Sequence, residues 1–181
     1  MKDIRNALHV LILCILVGNA IPAGAQNNYP VPVKTEKLLF YFQRSHNKNT
    51  VIYELNTLPD GTIDLGKPIN AYWIRYEEGG VRKELSLIQL KAFGLQCKLV
   101  DKVNKSFVVH FNSVKDREIS LLKIGRIYKA FIAINGEIAE LTKMYIKAEN
   151  NSIGIPLKVN YVEISGIDPK TGKCVTEKYL P

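Results

Sequence analysis

Cysteine, histidine, tryptophan and long apolar runs are all scarce in this chain of 181 residues, which holds three cysteines, three histidines and one tryptophan. Cys14 lies in the N-terminal segment, which leaves Cys97 and Cys174. Two cysteines so far apart, with no histidine or carboxylate beside them, give no zinc signature. His46 and His110 are the only histidines after the N-terminal segment, too few for a His-rich metal site. No cofactor is expected. G-x-S-x-G, H-E-x-x-H, a Walker loop and a dinucleotide fingerprint are all missing, so the familiar catalytic signatures give no enzyme class. Glycine and proline are ordinary at 12 and 8 residues, which argues against collagen-like and wholly disordered chains. Blocks of one charge are absent too. The 25 Lys and Arg residues outnumber 17 Asp and Glu, yet no basic run exceeds Arg82-Lys83. Nucleic-acid binding wants a basic stripe or a known motif, and neither occurs. The excess reads as a solvated surface, with a net field toward anionic envelope polymers.

The one apolar run stands at the start. Lys2 and Arg5 precede Ala7 to Ile21, which is almost uncharged, and Pro22-Ala23-Gly24-Ala25-Gln26 follows. A basic start, an apolar stretch and an A-x-A site make a secretory signal peptide. The stretch is short for a spanning helix, which needs roughly 20 residues. Cleavage is expected between Ala25 and Gln26. Cys14 sits inside the run, away from that point, so lipidation is not expected. The reading is a signal peptide over 1–25, an extended Asn/Pro/Val-rich leader over 26–35 and one domain over 36–181. The mature chain has no second run of membrane length and would be periplasmic or secreted. In such a compartment Cys97 and Cys174 are a candidate disulfide; two free thiols are the other reading.

Beyond the leader the pattern has period two. Leu38 to Arg44 and Thr50 to Leu55 flank His46-Asn47-Lys48-Asn49 and read as a β-hairpin. Asn70 to Tyr76 is a third strand. Leu95 to Val100, Ser106 to Phe111 and Glu118 to Lys123 follow. Ile127 to Ile134, Asn135-Gly136 and Glu137 to Lys147 form the strongest local signal, because Asn-Gly favours a tight type I′ hairpin. In its return strand Ile138, Met144 and Ile146 fall on one face, with Leu141 and Tyr145 on the other. Leu157 to Ile164 and Cys174 to Tyr179 make a last hairpin. Arg82 to Ala92 is the one helical candidate, with Leu85, Ile88 and Ala92 on a weak face and Gly94 as its stop. The fold class is therefore all-β: an antiparallel meander of about nine strands forming a barrel or strongly curved sheet, with one short helix. A two-sheet β-sandwich is the alternative.

Arg44 and Arg75 stand out because each ends an aromatic strand. With Ser45 opposite Thr50, Phe40, Phe42, Arg44, Val51, Tyr53 and Leu55 share a face. Ala71, Trp73 and Arg75 share another. An arginine that continues an apolar row must reach solvent, pair with a carboxylate or meet a ligand. Glu77 and Glu78 are near enough in sequence to be those carboxylates. The functional reading is an anion or sugar-acid site lined by Arg44, Trp73, Arg75, Glu77 and His46, with Trp73 as an aromatic platform and Glu77 orienting an arginine. Turn chemistry accounts for His46 equally well. His110 falls on the face opposite Phe107, Val109 and Phe111.

Leu39-Phe40-Tyr41-Phe42-Gln43-Arg44-Ser45 and Tyr72-Trp73-Ile74-Arg75-Tyr76-Glu77-Glu78-Gly79-Gly80, with Tyr128 to Glu137 and Tyr161 to Thr176, give the chain a resemblance. It resembles the domain-of-unknown-function family 4833 of small exported bacterial proteins, from about Leu38 to Tyr179. The resemblance implies a Gram-negative, Bacteroidetes-type envelope setting. It implies no activity, cofactor or catalytic residue. Three functions stay open from the residues alone. The first is a non-catalytic β-domain that binds a small anionic molecule, glycan or envelope protein. The second is a hydrolase of envelope or dietary polymer using Glu77 or Glu78 with His46. The third is a structural subunit of an envelope assembly. Oligomeric state is not legible.

Overall fold

Apolar alternation between Leu38 and Leu55 sets the first unit of the fold. The computed structural model describes residues 29–114, 116–149 and 158–180, so the expected signal peptide and the expected Ala25–Gln26 cleavage point lie outside the described residues. β1 (Leu38–Arg44) and β2 (Asn47–Leu55) pair antiparallel around Ser45-His46. His46 takes φ 62° in this turn. Phe40 partners Tyr53 and Phe42 partners Val51, not the register that Ser45 opposite Thr50 would set. Arg44 pairs directly with Asn47, so the turn is tighter than a His46–Asn49 loop, and an irregularity between Phe42 and Arg44 takes up part of that shift, which leaves the offset seen at Phe40 and Phe42. It amounts to two residues, an even number, so the expected faces survive.

β3 (Ile69–Arg75) joins β2 with Trp73 opposite Val51. A 3-10 turn over Tyr76–Glu78 follows, and Gly79 and Gly80, both at φ 82°, reverse the chain. Val81–Glu84 then pairs with β3 as β4. This corrects the helix expected over Arg82 to Ala92. Helix α1 spans only Leu87–Phe93, because edge pairing with β3 claims the preceding residues. Its start is a capping box that the expected Arg82 start passed over: the Ser86 hydroxyl accepts from the Gln89 N–H, and the Gln89 side chain accepts from the Ser86 N–H.

β5 (Leu95–Asp101), β6 (Ser106–Phe111), β7 (Ile119–Ile124) and β8 (Ile127–Ile134) follow as antiparallel neighbours. Asn135 and Gly136 stand at φ 52° and 83°, both positive, as a type I′ turn requires. They lead into β9 (Glu137–Ala148), which β10 (Val159–Ile167) and β11 (Cys174–Tyr179) flank as a hairpin. Residue 157, the expected start of β10, lies outside the described residues.

Strand β9 is the pivot. The sheet runs β4-β3-β2-β1-β9-β8-β7-β6-β5 and curls into a half-barrel. The first residues of β9 pair with β8, and Lys143–Ile146 then pair with β1 in parallel. That parallel pair makes the sheet mixed, a departure from an all-antiparallel meander that hairpin order alone does not reveal. Along β9 the inward positions are Ala139 and Leu141 first, then Met144 and Ala148. The parity changes at Thr142, where Leu141 and Lys143 pair with the consecutive residues Gly166 and Ser165. One extra residue in a strand is a β-bulge, which flips the faces beyond it. The face expected for Ile138, Met144 and Ile146 is thereby broken. Ile138 is 59% exposed, while Met144 is buried.

The curl brings two wings of the sheet together. Phe40 stacks on Tyr53 at 4.5 Å, and Phe111 from the other wing meets them edge-on at 6.3 and 5.7 Å. The buried Tyr53 hydroxyl donates to the Phe93 carbonyl at 2.8 Å and so fastens the end of α1 to the core. Arg117 pairs with Glu177 at 2.6 Å, and that carboxylate also accepts from the Asn135 N–H at 2.7 Å. These contacts tie β11 to the β8–β9 turn.

Cys97 and Cys174 are both free thiols. They sit on β5 and β11, each an outermost strand at a different margin of the sheet, so the candidate disulfide is not formed. Burial raises the Cys97 thiol to about 11. No described helix is long and apolar enough to cross a membrane.

Candidate ligand-binding cavity

Arg44 owes its position to its two neighbours. On the outer side of β1, Gln43 donates from Nε2 to the Pro30 carbonyl at 2.8 Å and to the Thr50 hydroxyl at 3.0 Å. Leader residues thus pack on this face, with Tyr29 edge-on to Tyr145 at 5.8 Å. The Ser45 N–H donates to the Ile146 carbonyl at 2.8 Å, and the buried Ser45 hydroxyl accepts from the Ala148 N–H at 2.9 Å. Arg44, between two residues anchored outward, is turned into the curl. Ser45→Ala should cost about 1–3 kcal/mol, because it strands the buried Ala148 N–H. A lower urea midpoint at constant m value would show it.

Inside the curl lies a cavity of about 770 Å³, within the roughly 300–1,000 Å³ usual for small-molecule sites. Its apolar wall includes Phe42, Phe93, Phe111, Met144, Ile146 and Val162. Arg44, Asn112, Ser113, Asp116 and Tyr179 contribute the polar atoms. Two of these are already occupied: Asn112 donates from Nδ2 to the Leu90 carbonyl at 2.8 Å, and the Ser113 hydroxyl donates to the Ala92 carbonyl at 2.7 Å. Both donate to carbonyls at the end of α1: Leu90, which also accepts from the Gly94 N–H, and Ala92. Asp116 is exposed. Tyr179 carries the Arg117 guanidinium over its ring at 4.7 Å.

Arg44 is different. Among the described residues its guanidinium forms no ion pair, and its buried Nε has no hydrogen-bond partner. Burial lowers its pKa from the ordinary arginine value, and the charge of Glu77 acts in the opposite sense. Arginine stays protonated in proteins all the same. An unpartnered cation beside an apolar cavity is a costly arrangement.

The other expected site residues are not brought to this cavity. Trp73 is 5% exposed and packs edge-on against Phe93 at 5.4 Å. It stands behind the wall and offers no open platform. Arg75 forms an ion pair with Glu78 and lines no part of the cavity, so the two arginines do not converge. Glu77 accepts from the Lys48 N–H at 3.0 Å and from Asn49 Nδ2 at 3.4 Å, which clamps the β1–β2 hairpin. Glu78 accepts from Lys83 at 2.7 Å. That bond, then the Arg75 charge, lowers its pKa, the opposite of what a general acid needs. His46 is exposed in its turn. His110 faces away from Val109 and Phe111 and is half-buried, with Nδ1 unpartnered.

The wall residues were not singled out in the sequence. Phe42, Phe111, Met144 and Val162 are inward positions of β1, β6, β9 and β10. Alternation marks each one as core, and nothing local says that the core is hollow there.

Fold and site together define a class: an all-β half-barrel whose curl holds a largely apolar cavity with one arginine that is unpaired among the described residues. The chain belongs to the family described as Domain of unknown function (DUF4833), whose model matches residues 40–178. No curated protein and no solved structure matches it.

Proposed function

We propose that this is an exported binding protein that holds a small anionic molecule in the half-barrel cavity, with Arg44 as the anchor for its charge. The observation that carries this reading is the Arg44 guanidinium, unpaired among the described residues, at a largely apolar cavity of about 770 Å³. A bound anion would supply the partner that no described residue provides, and arginine suits bidentate carboxylate geometry. The signal-peptide pattern of residues 1–25 supports a periplasmic or extracellular setting for this role.

The test uses 8-anilinonaphthalene-1-sulfonate, a small apolar anion, titrated into the natively folded full chain. One saturable site per chain is expected. Two variants that fill the cavity, Ile146→Trp and Ala92→Phe, should each abolish it without changing the circular dichroism. A folded protein that binds no dye, or binds it equally well in both filled variants, would overturn the reading.

A further inference from the structure

We infer that the ligand is an amphipathic monocarboxylate with a long hydrocarbon body, of the fatty-acid class, and not a sugar acid or a phosphate dianion. This deepens the proposed function and rests on it.

The argument begins with unmet hydrogen-bonding capacity. A sugar carries a hydroxyl on nearly every carbon, and each buried hydroxyl needs a partner. The cavity has few to give. One of the two Asn112 amide N–H groups and the Ser113 hydroxyl proton are spent on carbonyls of α1, which leaves the second N–H, Asp116 and Tyr179 beside Arg44, while Phe42, Phe93, Phe111, Met144, Ile146 and Val162 offer hydrocarbon or thioether surface. A sugar would therefore lose more hydration than it regained. A hydrocarbon body would lose none, and burying it is favourable in proportion to its area.

Charge count sets the head group. Arg44 supplies one positive charge, and its buried Nε–H needs one acceptor. A carboxylate satisfies a guanidinium through two parallel N–H bonds and cancels that single charge. A phosphate dianion would bring a second negative charge. Asp116 lines the same cavity, and the field of Glu77 reaches Arg44, so the surroundings disfavour it. Head and tail requirements meet at one place because β1 supplies both: Arg44 and Phe42, two residues apart, share the inward face.

Calorimetric titration of the full chain with octanoate, dodecanoate, dodecanol, dodecyl phosphate and glucuronate tests the assignment. Affinity should rise about threefold to fourfold for each methylene added from octanoate to dodecanoate. Dodecanoate should bind about tenfold to a hundredfold more tightly than dodecanol, the difference made by a hydrogen bond to a charged group. Dodecanoate should also displace the naphthalene sulfonate. Glucuronate as strong as octanoate, or dodecyl phosphate stronger than dodecanoate, would overturn the class assignment. So would dodecanoate that fails to displace dye from a protein with one dye site; in each case the cavity would remain a binding site. Absence of the dye site itself would remove the underlying reading instead.

Discussion

Arg44→Gln should erase the preference for dodecanoate over dodecanol while leaving the protein as stable as before, or more stable. The two effects have one cause. Among the described residues the half-buried native guanidinium has no ion pair, and its buried Nε has no partner. Holding a charge that way costs folding free energy. Glutamine keeps much of the side-chain length and removes the charge, so that cost disappears. The same change removes the charged hydrogen bond to a carboxylate, worth about 1.5–3 kcal/mol, or about tenfold to a hundredfold in affinity. Binding of dodecanol, which relies on the apolar wall, should hardly change. Binding sites commonly trade stability for function in this way. Thermal melting and calorimetry on the one variant read both effects. A loss of more than about 2 kcal/mol of stability, with carboxylate preference intact, would make Arg44 part of the architecture.

Phe40→Ala should cost about 3–5 kcal/mol, a large share of the roughly 5–15 kcal/mol that holds a domain folded. Phe40 is 1% exposed and belongs to the ring cluster that joins the wings. Its ring stacks on Tyr53 at 4.5 Å within one wing and meets Phe111 of the other at 6.3 Å. Truncation removes the transfer free energy of the ring and leaves a void that neighbouring strands, pinned by ladder hydrogen bonds, cannot collapse to fill. Phe111 also lines the cavity, so the variant should loosen the binding site as well. Urea unfolding should show a reduced midpoint, and dye binding at low urea should weaken in parallel. A cost under about 1 kcal/mol would mean that the wings do not depend on this cluster.

Particular elements show how much could be read without the structure. Asn135-Gly136 forms the expected turn because the signal is local: both residues tolerate positive φ, and both adopt it. The Ser86 capping box was equally local, yet Val81–Glu84 went to a strand, since the open edge of β3 was available to it. Arg44 was legible as a residue in need of a partner, because its apolar row was visible in the sequence. Arg75 looked the same in sequence but found Glu78 nearby. Only the turn after β3 decides between those two fates. Thr142 carries no local mark of a bulge. It becomes one because β9 must serve β8 with its first half and β1 with its second, and those partners lie far apart in the chain.

By itself the sequence determined most of the strands, the Asn135-Gly136 turn, the all-β class, the inward face of the β1–β2 hairpin and the family resemblance. The resemblance rests on particular segments such as Tyr72 to Gly80, and the rest follow from side-chain periodicity and backbone preference over a few residues. Tertiary structure alone decided the parallel pairing of β1 with β9, the change of face along β9, the separation of Cys97 from Cys174 and the hollow beside Arg44. Each depends on which distant strand occupies an edge, and a cavity is the volume left where inward faces from β1, β6, β9 and β10 fail to meet. Alternation tells a residue which way to point; only the curl of the sheet fixes what it points at.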